Sequence, residues 1–238
     1  MAKEITSQTY DGHIRAQGLE YQVAQYYEPS QPPRRRRIDY VLKFLEPAAG
    51  ERILDIGCGV GTYAFHSAMA GAKATGLDYS EESVKAARTL SARYQLPGSA
   101  SFVTGNACKL PFEANSFDKI VSADFIEHIT DDEKQTMMTE MLRVLSPGGR
   151  IVIFTPNAVR EKIGDAYWRL RHVLFGNKIP VNDLHYGLIG RHDYEAIIKL
   201  FPVSFEFHYL DVSRPYLASI PLVRKALALN LLWVIRKP

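Results

Sequence analysis

The chain has 238 residues, with 29 Lys+Arg against 26 Asp+Glu (formal net charge +3), 46% hydrophobic and 23% charged residues. This is the composition of a globular domain and excludes a disordered or fibrous chain. The near-neutral balance gives no electrostatic footprint for nucleic acid. Two cysteines, Cys58 and Cys108, are too few for a disulfide framework and lack the paired spacing of a structural zinc site. The polar start MAKEITSQTYDGH has no signal-peptide core. The longest apolar candidate, Tyr216–Ile235, is broken by Pro221, Arg224, Lys225 and Asn230, short of the roughly 18 consecutive apolar residues a membrane span needs. The expectation is one domain, soluble and cytoplasmic, in a reducing compartment.

Arg34–Arg37, after Pro32-Pro33, reads mainly as a solvated helix start. From residue 51, short β-branched runs alternate with amphipathic helical patterns. Arg52–Ile56 reads as a buried strand ending in a glycine cluster, Thr62–Ala70 as a helix and Lys73–Leu77 as a second strand. Ser80 is placed to cap a helix running to about Tyr94, with Glu81 and Glu82 in its first turn. Strands are predicted at Ser101–Thr104, Lys119–Ser122 and Arg150–Thr155. The helix Asp131–Leu145 lies between the last two and lines Met137, Met138, Met141, Leu142 and Leu145 along a core-facing side. Pro147-Gly148-Gly149 ends it and turns the chain. Strand–helix alternation at this pitch implies crossover units, hence a parallel sheet with helices on both faces. After Thr155 the rhythm breaks. Residues 158–190 are rich in Tyr, Trp, Arg and His without a strand signal; helix Asp193–Phe201 and strands Val203–Leu210 and Leu231–Arg236 close the chain. The irregular pieces 1–37 and 158–190 read as additions that cover a substrate.

The densest signal is Leu54-Asp55-Ile56-Gly57-Cys58-Gly59-Val60-Gly61-Thr62, a strand-to-helix switch at which doubly wound sheets bind ligands. The next strand ends at Asp78, 78 − 57 = 21 residues after the first glycine, where a carboxylate can accept from both hydroxyls of a ribose. Taken singly, the glycines also suit mere strand–helix packing, and Asp78 a helix cap. Residues 59–64 even satisfy the dinucleotide pattern G-x-G-x-x-A. Asp55 decides between cofactors. A carboxylate beside the loop opposes a pyrophosphate and suits an amine or sulfonium, so S-adenosylmethionine is favoured over a nicotinamide dinucleotide.

Four ordered motifs, LDIGCGVG (54–61), GLDYS (76–80), GNACKLPF with FDKIVSADFIEHI (105–112, 117–129) and LRVLSPGGRIVIFTPN (142–157), resemble class I S-adenosylmethionine-dependent methyltransferases across roughly residues 35–160. The resemblance implies an α/β fold: a doubly wound, mostly parallel, seven-stranded Rossmann-like sheet with an antiparallel last strand. It divides one methyltransferase domain, 1–238, into an N-terminal cap (1–37), a cofactor-binding core (38–157), a substrate-covering insertion (158–190) and a C-terminal sheet portion (191–238). It also implies that Gly57, Cys58 and Gly59 bear the methionine moiety and Asp78 the ribose, and that Tyr79 packs on the adenine. Asn106-Ala107 would read the adenine edge, and Ala123, Asp124 and Phe125 would line the sulfonium. S-adenosylhomocysteine would be the product.

Within that class, Asp124-Phe125-Ile126-Glu127-His128 and Arg37, 57 − 37 = 20 residues before the first motif glycine, resemble the ubiquinone-biosynthesis O-methyltransferases. That resemblance implies that Arg37 pairs with the cofactor's carboxylate. Asp124 stands where that group has Glu, a shorter reach. His128 is placed to act as general base on a phenolic acceptor, with Glu127 orienting it. Two alternatives stand beside this: Asp124, Glu127 and His128 hold a divalent metal with His185 or His192, or Glu127 and His128 cap the following helix. Tyr167, Trp168 and His172 suit an acceptor-pocket wall or plain packing, and residues 214–229 a membrane surface or the sheet. The expected partner is a small aromatic or lipophilic acceptor rather than nucleic acid. An RNA methyltransferase, a non-catalytic cofactor-binding module and a nicotinamide-dependent oxidoreductase are the competing functions.

Overall fold

The computed structural model describes residues 18–175, 187–212 and 220–238. Helix α1 (Leu19–Gln22) runs into a wider π-type turn over Val23–Tyr27, and α2 (Pro32–Leu45) follows with proline in its first turn, where its missing N–H costs nothing. The core then alternates β1 (Arg52–Ile56), α3 (Thr62–Met69), β2 (Lys73–Asp78), α4 (Glu81–Ser91), β3 (Ser99–Thr104), β4 (Phe117–Ala123), a 3₁₀ turn at Ile126–His128, α5 (Asp131–Val144) and β5 (Leu145–Pro156). The remainder is α6 (Ala158–Phe175), α7 (Arg191–Ile198), β6 (Ser204–Val212), α8 (Pro221–Leu227) and β7 (Ala228–Arg236).

The seven strands lie in the order β3-β2-β1-β4-β5-β7-β6. Strands β1 to β5 pair in parallel, and β7 is inserted antiparallel between β5 and β6. This is the expected architecture. It follows from residues that are apolar on both faces of the central strands. Ile53, Val121, Val152 and Phe154 face Ile38, Val41 and Leu45 of α2, while Leu54, Ile120, Ile151 and Ile153 face Met137, Met138 and Met141 of α5. A sheet covered on both sides reads as continuous rather than alternating hydrophobicity.

Ser80 caps α4 as expected, its hydroxyl accepting from the N–H of Ser83 at 3.0 Å. Three features differ from expectation. β5 begins at Leu145, because Leu145 pairs with Phe117 across a register shift before the regular ladder resumes at Lys119↔Arg150, so Pro147-Gly148-Gly149 lies within the strand. β7 begins at Ala228, not Leu231, its first residues pairing with Val212 and Leu210 of the edge strand β6. Residues 158–175, expected to be irregular, are an 18-residue helix in which Ala158 is the buried residue.

Candidate active site

The site forms where β1, β2 and β4 end. The loop after β1 is shaped by three left-handed glycines, Gly57 (φ +69°), Gly59 (φ +52°) and Gly61 (φ +88°). The ring of Phe125 lies so close over Gly57 that a Cβ there would overlap it. Gly59 is the opposite case: a Cβ there would project into open space. The glycine loop and the residues after β4 therefore meet.

Where the loop's N–H groups go separates the two classes of cofactor. Gly57 and Cys58 donate to the carbonyl of Leu77 at 2.9 and 3.1 Å, Gly61 donates to that of Cys58 at 2.8 Å, and Gly59 donates to the Asp78 carboxylate at 2.8 Å. A diphosphate-binding loop needs such donors pointing at the ligand. Here four of them are satisfied within the protein, one by a carboxylate. The donor set suits a ligand that is cationic or neutral at the loop, and it weighs against a dinucleotide.

Asp78 also accepts from the N–H of Ser80 at 2.9 Å, so it ties the end of β2 to the glycine loop, while Ser80 is the helix cap. Behind the loop, Asp55 is buried and accepts from the N–H of Ala64 at 3.0 Å, at the start of α3. Burial pushes its carboxyl up to about 7, against the lowering effect of the N–H groups at the helix start. The Cys58 side chain is buried against Gly76, so only its backbone borders the loop, and burial holds its thiol well above the usual range.

Tyr79, next to Asp78, is 64% exposed, an aromatic face available to a ligand. One strand over, after β3, Ala107 is buried and the Asn106 Oδ1 accepts from the N–H of Cys108 at 2.8 Å, closing a tight turn.

After β4 the chain bends sharply. Ala123 is buried, and Asp124 adopts the left-handed region (φ +56°), uncommon for a non-glycine residue. The bend brings the Asp124 carboxylate into an ion pair with Arg37, whose guanidinium also lies over Phe154, 5.1 Å from the ring centroid. Burial pulls Arg37 below the ordinary guanidinium range, while Tyr63 and Glu127 nearby act the other way. Glu127 is buried and accepts from the Thr155 hydroxyl at 2.9 Å. His128 is half-exposed at the end of the same turn, its N–H bonded to the Phe125 carbonyl at 2.9 Å.

The helix-cap alternative for this turn is decided by contacts. Thr130 and Glu133, not Glu127 and His128, cap α5: the Thr130 hydroxyl accepts from the N–H of Glu133, and the Glu133 carboxylate accepts from that of Thr130 at 2.8 Å. The Asp124 and Glu127 carboxylates are engaged by Arg37 and Thr155, and among the described residues no three His, Cys, Asp or Glu side chains converge as a metal site. His185 lies outside the described residues, as do 1–17 and 214–219. His192 is exposed on α7. Tyr167 and His172 are exposed on α6 with Trp168 partly so, rather than packed in the core.

Two contributors were given no part by the sequence: Tyr27, outside every motif, and Thr155, within the fourth. Tyr27 is buried in the N-terminal segment, its ring 4.1 Å from that of Phe65, and its hydroxyl donates to the carbonyl of Val60 at 2.8 Å, gripping the glycine loop from outside the sheet. Thr155, at the end of β5, holds Glu127.

The comparisons with known proteins match the part of the chain that builds this site. Residues 53–149 match the methyltransferase domain family. Norajmaline N-methyltransferase of Rauvolfia serpentina is 37% identical over 132 residues, 53% of this chain and 44% of that protein. O-methyltransferase cnsE of Penicillium expansum is 37% identical over 110 residues, 46% and 39% of the two chains. The matched part thus spans less than half the length of these relatives. An S-adenosylmethionine dependent methyltransferase of Mesorhizobium loti shares the fold, with a TM-score of 0.62 at 18% identity over 84% of this chain and 96% of that one. What the comparisons support is a methyltransferase domain over residues 53–149.

Proposed function

We propose that this chain transfers the methyl group of S-adenosylmethionine to an oxygen of a small aromatic or lipophilic acceptor. The observation that carries the reading is the glycine loop, whose N–H groups are turned inward to Leu77, Cys58 and Asp78 while Gly59 borders open space. In this reading Asp78 accepts from the ribose hydroxyls, Tyr79 covers the adenine and the Asn106-Ala107 turn reads its edge. Gly57, Cys58 and Gly59 border the methionine portion, and Arg37 pairs with its carboxylate. Asp55 lies behind the loop, where a bound cation favours its ionised form, and Ala123, Asp124 and Phe125 line the side of the sulfonium. When bound, the cofactor supplies a methyl group on positively charged sulfur and leaves as S-adenosylhomocysteine. No divalent metal is assigned a part.

The chain's own task is to orient the acceptor and remove its proton. A phenol ionises at about 10, three units or so above neutral pH, so a base at the acceptor oxygen assists the displacement. His128 is that base. Glu127 precedes it in the same 3₁₀ turn, and the hydrogen bond from Thr155 fixes that turn to the end of β5. Residues 18–37, tied to the glycine loop through Tyr27, cover the acceptor. Holding the two reactants in line supplies much of the remaining rate.

The test is mass spectrometry of a cell extract incubated with the protein and isotope-labelled methyl donor, fragment ions placing the label on oxygen or nitrogen. With the acceptor in hand, His128→Ala retains S-adenosylhomocysteine affinity and loses about 10²- to 10⁴-fold in turnover; wild-type turnover would remove the base assignment. Tight uptake of nicotinamide dinucleotides with none of S-adenosylhomocysteine would overturn the cofactor reading. A nitrogen acceptor is the second reading, favoured by the norajmaline relative, whose name specifies N-methylation.

A further inference from the structure

Helix α6 presents most of its surface to solvent. Of its 18 residues, Ala158 is the buried one, and within the helix Ile163, Tyr167, Leu170, Val173, Leu174 and Phe175 are each 46–80% exposed. An isolated helix of this length is marginal in water, and most helix stability in proteins comes from packing an apolar face. The apolar residues are ordered. Ile163, Tyr167, Leu170 and Leu174 follow i, i+4, i+7, i+11, one narrow ridge at about 100° per residue, with Val173 on its shoulder.

The charges are ordered too. At the same pitch, Arg160 and Arg171 fall along one flank of the ridge and Lys162 and Arg169 along the other, while the acidic residues Glu161 and Asp165 share the opposite pole with His172. Arg171 leans toward the ridge, its guanidinium bonded to the Tyr167 hydroxyl at 3.0 Å and lying over the rings of Tyr167 and Trp168. Exposed Arg224 adds a further cation on α8, which packs beside α6. Cations on both shoulders of an apolar ridge, with carboxylates held away from it, is the charge order of a helix that lies in a membrane interface. No helix among the described residues is long and apolar enough to cross a membrane, so the association is peripheral.

We propose that α6 docks on an anionic lipid surface, its Ile163–Leu174 ridge entering the headgroup boundary and Arg160, Lys162, Arg169 and Arg171 pairing with lipid phosphates. The proposal goes beyond the methyl-transfer reading and does not rest on it, because vesicle binding requires neither cofactor nor acceptor.

The test is co-sedimentation of the full chain with vesicles of phosphatidylglycerol in phosphatidylcholine, against phosphatidylcholine alone. The wild type is expected to sediment with the anionic vesicles, less so as salt is raised. Leu170→Glu/Leu174→Glu, at exposed positions, is expected to lower the partition coefficient about tenfold or more with an unchanged melting curve. Lys162→Gln/Arg169→Gln keeps the ridge and is expected to lower it about tenfold on anionic vesicles, so the proposal stays testable should the first variant misfold. Wild-type protein left in the supernatant, equal binding to neutral vesicles, or variants that bind as the wild type does would each overturn it. So would light scattering that shows a wild-type dimer which Leu170→Glu/Leu174→Glu dissociates, since the ridge would then join two copies of the chain.

Discussion

Asp55 offers a quantitative test of how the core treats its carboxylate. It sits under the glycine loop at 1% exposure, accepting N–H groups at the start of α3, and burial moves it from an ordinary 3.8 to about 7. The folded state therefore holds a proton between about pH 4 and 7 that the unfolded chain has released. By linkage, stability falls as pH rises through that window and levels off above about 7. Three units or so correspond to roughly 4 kcal/mol over the whole window. Asp55→Asn cannot ionise, and its amide oxygen can still accept from the Ala64 N–H. Urea unfolding of both proteins at pH 5, 6, 7 and 8 isolates the site, since other titrating groups cancel in the difference. The variant's stability relative to wild type is expected to rise by roughly 3 kcal/mol between pH 5 and 8. A difference constant across that range would refute the reasoning, and would mean that Asp55 ionises as it does in water.

Three further outcomes follow from the same site. Asp78→Ala removes the acceptor for the N–H groups of Gly59 and Ser80, and is expected to weaken S-adenosylhomocysteine binding by about ten- to a hundredfold in calorimetry; unchanged affinity would remove its ribose role. Tyr27→Phe keeps the ring against Phe65 but leaves the Val60 carbonyl without its donor, which should lower stability by about 1–2 kcal/mol in urea unfolding and weaken cofactor binding about fivefold. Gly57→Ala meets both a left-handed backbone and the Phe125 ring, and should cost roughly 2–4 kcal/mol; in a Phe125→Ala background about 1 kcal/mol of backbone strain should remain, so equal costs in the two backgrounds would show that the ring contact is unimportant.

The central fold was legible because its residues satisfy local and global demands together. Arg52–Ile56 and the methionines of α5 carry the periodicity of the faces they bury, and Ser80 caps the helix it precedes. Boundaries moved where pairing partners far along the chain extended a strand, as Phe117 did for Leu145 and Val212 for Ala228. In the site, the glycines and Asp78 were readable because their spacing is dictated by one loop and one strand. Tyr27 and Thr155 were not: their partners, Val60 and Glu127, lie 33 and 28 residues away, and a hydrogen bond across that separation leaves no local pattern.

The same distinction explains why Asp55 outweighs the glycines as an indicator of cofactor class. Three left-handed glycines in a strand-to-helix turn only bring backbone close to a ligand, and a dinucleotide and a sulfonium cofactor both require that. What differs is the charge each presents to the loop. Asp55 is buried at a net desolvation cost at neutral pH, and Asp78 takes up a backbone N–H that a diphosphate would otherwise use. The Asp78 carboxylate repels a pyrophosphate, whereas a cationic ligand at the loop gains from it and favours the ionised form of Asp55.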